Sequence, residues 1–404
     1  MTKTRTNATF FPPVMEARHW LEGVTHPADR PLINVSQAAP VDPPVKELRQ
    51  AMADAALNDD GAHLYGPVLG NVALRQALAT ETTSHYDSAV TADNVAITSG
   101  CNQAFAAAIS SLCAEGDEVI LPTPWYFNHK MWLDMSGVTS VPLPAGPDLL
   151  PRAGEAAKLI TPRTRAIALV SPNNPAGVEY PADLLLAFYE LAKAHGIALI
   201  VDETYRDYHS QDGAPHALFS QPNALDTFIH LYSFSKAYRL TGHRVGALIT
   251  SKARLDEIEK FLDTVAICPG QIGQAAALWG LENLSDWLAE ERNEIIRRCD
   301  AIKAGFPALA AKGWELKSAG AYFAYMKHPF DISSADLAPR LVSEAGILCL
   351  PGTMFCPTDD PKGAQHLRIA FANLDADGIT KLYQRLAALN ISGVQPLAPL
   401  RRAP

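Results

Sequence analysis

The chain has 404 residues, of which 48% are hydrophobic, and it carries a formal net charge of −9. This length exceeds one ordinary small domain and suits a large domain accompanied by a smaller one. The negative charge argues against general binding to nucleic acids and to anionic membrane surfaces.

The cysteines predict neither disulfides nor a metal site, because no Cys-x-x-Cys pair and no histidine cluster at metal-ligand spacing accompanies them. They are Cys101, Cys113, Cys268, Cys299, Cys349 and Cys356. Small buried cysteines of this kind are typical of a reducing compartment. Residues 1–13 lack the apolar core of a signal peptide, and no stretch approaches the length of a membrane span. We therefore expect a cytoplasmic protein.

The first part of the chain predicts an arm followed by alternating strands and helices. Residues 1–45 are rich in proline and indicate an extended arm, and a helix is predicted to begin near Pro44. Between Asn94 and Thr250, six short apolar runs alternate with helical stretches, which is typical of a mostly parallel sheet covered by helices. The runs are 95–98, 118–121, 166–170, 197–201, 228–232 and 246–250.

Helices dominate from about residue 251 to 311, and strands mix with helices in the last hundred residues. The predicted strands are 321–326 and 367–371, and the predicted helices are 333–345 and 376–389. We expect an α/β protein with an N-terminal arm (1–45) that joins the small domain, a large domain (46–295) and a small α+β domain (296–404). The tail after Pro396 is predicted to be frayed.

Polar motifs follow the apolar runs at the strand ends where open α/β folds bind ligands. The run 95–98 precedes Ser99-Gly100-Cys101-Asn102 and then a helical stretch. A glycine turn that leads into a helix N-terminus favours a bound anion, although a plain strand-to-helix turn explains it as well. The run 166–170 precedes Asn173-Asn174 between two prolines, which either presents an amide to a ligand or simply forms a turn.

Two later motifs carry ionisable side chains. Asp202 directly follows a buried run, where a carboxylate is costly unless it is paired. It could hold a protonated ring nitrogen, ligate magnesium or cap a helix. Lys236 ends Ser233-Phe-Ser-Lys, and Arg244 follows eight residues later. This pattern suits a Schiff-base lysine beside a phosphate site, whereas a lone lysine at a strand end is more often a solvated surface residue.

Taken in order, these motifs resemble the class I/II aminotransferases, which are fold-type I pyridoxal-phosphate enzymes similar to aspartate aminotransferase. The matching pattern is Gly-x-x-Gln-Ala at Gly100, Asn-Asn-Pro-x-Gly at 173–177, Asp-Glu-x-Tyr at 202–205, Ser-Phe-Ser-Lys at 233–236, Arg244, and Leu-Arg-Ile-Ala-Phe at 367–371. The resemblance extends from Tyr65-Gly66-Pro67 and Gly70 to Arg368. Each motif is weak alone, but six in this order are improbable by chance.

The resemblance implies pyridoxal 5′-phosphate as cofactor and Lys236 as the Schiff-base lysine that also moves the substrate proton. Asp202 resembles the partner of the pyridine nitrogen, and His129 is a candidate to orient it, although a helix-surface histidine is equally consistent. Tyr205 and Asn174 match the pair that bonds the phenolic oxygen of the cofactor. No metal is expected.

The resemblance also implies a phosphate-binding cup and an aromatic residue that stacks on the cofactor ring. The cup residues are Ser99, Gly100, Cys101, Asn102, Ser233 and Arg244, with Ser235 as a weaker candidate. Trp125 resembles the stacking residue, but the register is uncertain by one position, so Tyr126 is a rival. Cys101 departs from the family pattern, because a hydroxyl-bearing or small residue is often found at this position of the phosphate turn.

Substrate and partner contacts follow from the same resemblance. Arg368 matches the arginine that binds the substrate α-carboxylate with Asn174, and its apolar neighbours argue against a surface ion pair. Ala38 stands in the N-terminal substrate loop, where many relatives have glycine. Tyr65 resembles the tyrosine that reaches the phosphate of a neighbouring subunit, which implies a homodimer with shared sites.

The predicted reaction is a ping-pong transfer of an amino group from an α-amino acid to a 2-oxo acid. A β-lyase or a pyridoxal-phosphate-dependent oxidase would share most of these residues. A transcription regulator with an aminotransferase-like domain is disfavoured, because the residues that precede the large domain are proline-rich and not basic. No second arginine can be assigned to bind the side-chain carboxylate of a dicarboxylic substrate. The sequence therefore does not identify the amino donor.

Overall fold

The computed structural model describes residues 4–390. The strands, in chain order, are β1 Ile33–Asn34, β2 Val95–Thr98, β3 Glu118–Thr123, β4 Thr139–Pro144, β5 Thr164–Val170, β6 Ala198–Asp202, β7 Phe228–Ser233, β8 Gly246–Ile249, β9 Glu315–Gly320, β10 Phe323–Lys327, β11 Ile347–Leu348, β12 Leu350–Pro351 and β13 His366–Ile369. The helices are α1 Pro13–His19, α2 Lys46–Asn58, α3 Val72–Tyr86, α4 Cys101–Leu112, α5 Phe127–Ser136, α6 Ala153–Ala157, α7 Ala182–Ala194, α8 Ala224–Thr227, α9 Phe234–Ala237, α10 Lys252–Ala266, α11 Gln271–Asn283, α12 Ser285–Ala310, α13 Ser334–Arg340 and α14 Ala376–Ala387. A π-helical turn, Leu341–Ala345, continues α13.

Seven strands form the central sheet in the order β2-β8-β7-β6-β5-β3-β4. Four neighbouring pairs are parallel, and β8 runs antiparallel to both β2 and β7. All six apolar runs form strands of this sheet, so the predicted α/β class with a mainly parallel sheet is confirmed. Alternate side chains enter the hydrophobic cores on opposite faces, as Ile120 and Leu199 do on one side and Val119 and Ile200 on the other.

Strand β4 is an element that the apolar pattern did not predict. It lies at the edge of the sheet, most of its side chains are partly or fully exposed, and it contains Pro142 and Pro144. An edge strand tolerates proline because one side of its backbone makes no ladder hydrogen bonds. Its composition therefore does not have the apolar signature of a central strand.

The N-terminal segment packs with the C-terminal part of the chain. Strand β1 pairs in parallel with β11, and Ile33 joins a core that includes residues of β10, β13, α12 and α14. The prediction of an extended arm is wrong for Pro13–His19, which is helix α1. Proline at the first helical position costs no hydrogen bond, and Ala17 is fully buried against residues of α5 and the 348–355 segment.

A second sheet, β12-β13-β10-β9, is antiparallel and carries Arg368 on β13. The predicted strands at 321–326 and 367–371 correspond to β10 and β13, whereas β9 was not predicted. The predicted domain boundary at residues 295 and 296 falls inside α12, the helix Ser285–Ala310, and stays a prediction. The predicted frayed tail after Pro396 lies outside the described residues.

Two glycines bring the loop after β5 against the hairpin between β9 and β10. A Cβ atom on Gly177 would lie 2.5 Å from the Gly320 carbonyl oxygen and 2.7 Å from that of Phe323, and Gly177 has a φ of +72°. Only glycine accommodates such a close backbone approach at this φ without strain. Within residues 4–390, no helix is long and apolar enough to cross a membrane.

Candidate active site

A cleft of about 520 Å³ lies beyond the C-terminal ends of β5, β6 and β7. Parallel strands end at the same edge of a sheet, so motifs that are far apart in sequence meet there. Most predicted site residues line this cleft: Ala38, Cys101, Asn102, Asn174, Asp202, Tyr205, Ser233, Lys236, Arg244 and Arg368. Ser99, Gly100, Trp125 and Tyr65 are predicted residues that do not line it.

Lys236 lies in the short helix α9 directly after β7, and Ser233 caps this helix by accepting a hydrogen bond from the Ser235 amide. The Lys236 Nζ donates a hydrogen bond to the Ala38 carbonyl oxygen at 2.5 Å. Burial, followed by the positive charges of Arg244 and Arg368, lowers the pKa of Lys236 from 10.5 to about 8. A substantial fraction of the amine is therefore neutral, and able to accept a proton, at mildly alkaline pH.

Asp202, the last residue of β6, is buried and held at both carboxylate oxygens. Oδ1 accepts a hydrogen bond from the Thr204 amide at 3.0 Å and lies 3.6 Å from the Cys101 sulfur. Oδ2 lies 3.1 Å from Nε2 of His129. Burial raises the pKa of Asp202, but the contacts with His129 and Thr204 outweigh it and hold this pKa below the usual 3.8. Asp202 is therefore ionised at neutral pH.

The buried ring of His129 stacks on Phe105 of α4, with 3.8 Å between the ring centroids. Its Nε2 faces Asp202 from α5, so the histidine is not on the helix surface. Of the two interpretations left open by the sequence, the structure agrees with the one that places His129 beside Asp202.

Arg368 is an arginine with 2% exposure that makes no ion pair among the described residues. Nη1 donates to Asn174 Oδ1 at 3.1 Å, Nη2 donates to the Ser36 carbonyl, and Nε has no partner. Burial lowers the pKa of Arg368 to about 10. A buried guanidinium without a carboxylate is costly, and a bound carboxylate would relieve that cost.

Tyr205 and Arg368 both contact the ring of Phe323. Tyr205 packs edge-on against it, with ring centroids 5.1 Å apart. Burial, followed by the nearby Tyr126, raises the pKa of Tyr205 well above 10. Its hydroxyl therefore remains protonated at neutral pH and can donate a hydrogen bond.

The predicted phosphate cup is built around Gly100 and Arg244. Gly100 has a φ of +85° and precedes helix α4, and a Cβ at this position would overlap Arg244 Nη2. Arg244 Nη1 donates to Ser235 Oγ at 3.4 Å. The helix N-terminus and the guanidinium together suit an anion. The Ser99 amide, in contrast, already donates to Gln103 Oε1 at 2.6 Å.

The structure places Tyr126, and not Trp125, on the cleft wall. Trp125 instead lines a separate cavity of about 790 Å³ beneath the N-terminal segment, where Lys130 lies 5.8 Å from its ring centroid. The sequence alone could not establish which of the two adjacent aromatic rings faces the cleft. The Tyr126 hydroxyl contacts Asn102 and Asn128, and its ring meets His129 edge-on.

The sequence did not predict cleft residues from helix α1. Met15 and Arg18 line the cleft, as does Gln37 from the following loop. A proline-rich segment with weak periodicity offers little signal for such contacts. Tyr65 is 80% exposed and does not line the cleft of its own chain.

The sequence matches the family model for aminotransferase class I and II over residues 30–386. It is 29% identical to the aromatic aminotransferase ISS1 of Arabidopsis thaliana, over 98% of this chain and 97% of the relative. It is 32% identical to the arginine–pyruvate transaminase AruH of Pseudomonas aeruginosa, over 84% of each chain. The solved structure of a Thermus thermophilus aspartate aminotransferase single mutant matches with a TM-score of 0.85 and 26% identity, over 96% of this chain and 99% of that one.

The chain thus has the α/β architecture and the cleft of an aminotransferase. It belongs to the aminotransferase class I and II family and is a transaminase, an enzyme that moves an amino group from an amino acid to a 2-oxo acid.

Proposed function

We propose that this transaminase uses pyridoxal 5′-phosphate bound as a Schiff base to Lys236. The observation that carries the proposal is the pairing of two ionisable groups in one cleft: Lys236, with a pKa lowered to about 8, and Asp202, a buried carboxylate that stays ionised. A lysine amine is nucleophilic only when neutral, and a fixed carboxylate can keep a ring nitrogen protonated.

The roles of the ring-binding residues follow from their contacts. Pyridoxal phosphate supplies an electron-withdrawing ring that stabilises the charge left when the substrate Cα loses its proton. Asp202, oriented by His129, would bind the protonated ring nitrogen, and Tyr126 would cover the ring face. Tyr205 and Asn174 would donate to the phenolic oxygen, and the Lys236 amine would carry the proton.

The phosphate would bind at the start of helix α4, where Gly100 and Arg244 meet. Backbone amides of Cys101 and Asn102, hydroxyls of Ser233 and Ser235, and the helix dipole all favour an anion there. The Ser99 amide is a poorer candidate because Gln103 already accepts its hydrogen.

A homodimer with shared sites is supported by an exposed apolar surface. Leu64, Tyr65, Val265 and Ile267 are 42% to 80% exposed, and the Gly66 amide lies 3.4 Å from the Cys268 sulfur, which brings the two segments together. Large exposed apolar patches commonly mark protein interfaces. Tyr65 would then reach the phosphate of the partner subunit. A cytoplasmic location fits the six free cysteines.

The decisive experiment is a single half-reaction with purified enzyme, a panel of amino acids and no acceptor. A transaminase releases one 2-oxo acid per active site and then stops until an acceptor is added. Continued release without an acceptor would indicate a β-lyase, and continued release with oxygen uptake would indicate an oxidase. Failure to bind pyridoxal phosphate would contradict the proposal as a whole.

Replacing Gly100 with alanine is expected to weaken pyridoxal-phosphate binding about 10- to 100-fold, the effect of losing a charged hydrogen bond. The added methyl group would displace the Arg244 guanidinium from the phosphate. Titration of the apoenzyme with cofactor measures the change.

Gly116→Ala is the matched control for this substitution. Gly116 has the same φ of +85°, but an added Cβ meets nothing within 4 Å. The backbone strain is therefore similar, while Arg244 is untouched. Equal losses of cofactor affinity in both variants would assign the effect to strain and not to the phosphate cup.

Replacing Arg368 with alanine is expected to lower kcat/KM by about 100-fold for every amino acid substrate, mainly by raising KM. The guanidinium would bind the α-carboxylate that all of these substrates share. Arg368→Lys is expected to recover only part of the loss, because lysine cannot form the paired hydrogen bonds. Steady-state kinetics with several amino acids provides the check, and a defect limited to one substrate would instead indicate side-chain recognition.

A further inference from the structure

A chain of two buried tyrosine hydroxyls reaches the backbone of the proposed Schiff-base lysine. The Tyr322 hydroxyl donates to the Tyr208 hydroxyl, with 3.2 Å between the oxygens, and the Tyr208 hydroxyl donates to the Lys236 carbonyl oxygen at 2.8 Å. A carbonyl oxygen can only accept a hydrogen bond, so Tyr208 must give its proton to Lys236 and accept from Tyr322. The chain therefore runs in one direction, from Tyr322 to the lysine.

Both hydroxyls are enclosed and stay protonated. Tyr208 is 2% exposed and Tyr322 is 3% exposed. Burial raises the pKa of both side chains above 10, and for Tyr208 the neighbouring Tyr322 raises the pKa further. A buried hydroxyl without a partner is costly, and hydrogen bonds in series strengthen one another in such surroundings. The two tyrosines thus form a defined link.

The two tyrosines come from different parts of the fold. Tyr208 ends the short turn that follows β6, and Tyr322 lies between β9 and β10 of the second sheet. Strand β10 pairs directly with β13, which bears Arg368. The chain of hydroxyls therefore joins the strand pair that carries Arg368 to the helix that carries Lys236.

Helix α9, which bears Lys236, is only four residues long. A single turn is not stable through its own hydrogen bonds, so its orientation depends on contacts with its surroundings. The Lys236 carbonyl also accepts from the nearby amides of Tyr238 and Arg239, the latter at 3.4 Å. The Tyr208 hydroxyl, in contrast, ties this carbonyl to a separate segment of the chain.

We propose that Tyr208 and Tyr322 are positioning residues for the reaction, because their hydroxyl chain holds the backbone of Lys236 at a fixed place relative to Arg368. The inference rests on the proposed function. There Arg368 binds the substrate α-carboxylate while the Lys236 amine carries the proton of the adjacent Cα, so both side chains must fit one substrate geometry. A misplacement of about 1 Å can cost about 100-fold in rate. Neither tyrosine is among the residues that line the cleft, so both act through the lysine.

The test measures the half-reaction of the holoenzyme in single turnovers over a range of amino-acid concentrations. Tyr208→Phe removes both hydrogen bonds of the chain, and Tyr322→Phe removes only the outer one. The saturating rate constant is expected to fall about 10-fold in Tyr208→Phe and about 3-fold in Tyr322→Phe, while the half-saturating concentration changes less than about 2-fold. The double variant should lose no more than Tyr208→Phe alone, because both residues act through one link.

Tyr189→Phe is the matched control for these substitutions. Tyr189 is fully buried in α7, but its hydroxyl has no hydrogen-bond partner among residues 4–390, and the side chain does not line the cleft. This variant is expected to keep the wild-type rate constant. A loss as large as that of Tyr208→Phe would assign the effect to a general disturbance of the core and overturn the proposal.

Amide hydrogen exchange of the apoenzyme follows the lysine segment without the reaction. A peptide that covers residues 234–239 is expected to exchange at least about 3-fold faster in Tyr208→Phe than in wild type, and at the wild-type rate in Tyr189→Phe. Unchanged exchange or an unchanged rate constant in Tyr208→Phe would overturn the positioning role, as would losses that multiply in the double variant. Retained turnover in Lys236→Ala would instead mean that the proposed function itself has failed, and that result depends on neither tyrosine.

Discussion

Lys236→Ala is expected to lower the steady-state rate of transamination by at least about 10⁴-fold. The substitution removes both the amine that forms the Schiff base and the group that carries the substrate proton, and positioned proton transfer alone contributes about 10² to 10⁴ in rate. Quantifying 2-oxo acid release over many turnovers measures the loss. Multiple turnover at more than about 1% of the wild-type rate would exclude Lys236 as the catalytic lysine.

The fold of this variant should remain intact. The pKa of Lys236 is depressed from 10.5 to about 8, so at pH 7, below both values, the native apoenzyme bears the full cost of a charged amine in a desolvated place. Alanine relieves that cost, and thermal unfolding of the apo variant is expected at a temperature no lower than that of wild type. Lys252→Ala, at an exposed lysine of α10, serves as the control for activity.

The second large effect is expected from Asp202→Ala. The half-reaction rate should fall about 10² to 10⁴-fold, while the dissociation constant of pyridoxal phosphate changes less than about 10-fold. The carboxylate would act on the charge of the ring nitrogen, whereas most binding energy for the cofactor would come from its phosphate and Schiff base. Stopped-flow kinetics and cofactor titration measure the two quantities separately.

Asp117→Asn is the control, since Asp117 is also a buried carboxylate but precedes β3 at the opposite end of the sheet, where it pairs with Arg165. This variant is expected to keep the wild-type half-reaction rate. A near wild-type rate in Asp202→Ala, or a loss of cofactor affinity as large as the loss of rate, would contradict an electronic role for Asp202.

Six of the seven strands of the central sheet, and the polar motifs at several of their ends, were predictable from local sequence. Each apolar run forms a strand, and parallel strands place their ends at one edge, so Asn174, Asp202 and Ser233 had to approach each other once the class of sheet was known. The exact facing of side chains at a turn was not predictable. Trp125 and Tyr126 are adjacent and both aromatic, and the structure packs Trp125 in the core beside α4 and places Tyr126 on the cleft wall.

The contribution of the N-terminal segment was beyond sequence analysis for a different reason. Ser36 and Ala38 reach Arg368 and Lys236 across separations of 332 and 198 residues. Such contacts depend on how the second sheet docks against the first, and a proline-rich stretch has no periodic pattern that reports it. Arg18 could not be assigned to the cleft for the same reason.

The close approach of Gly177 and Gly320 has a consequence for the alignment of the two halves of the cleft. Gly177 belongs to the loop that holds Asn174, and Gly320 ends β9, whose neighbour β10 pairs with the strand that bears Arg368. The hydrogen bond between Asn174 and Arg368 spans the same junction. The close contact between the backbones of Gly177 and Gly320 therefore helps to set the distance between Arg368 and Asn174, although neither glycine lines the cleft.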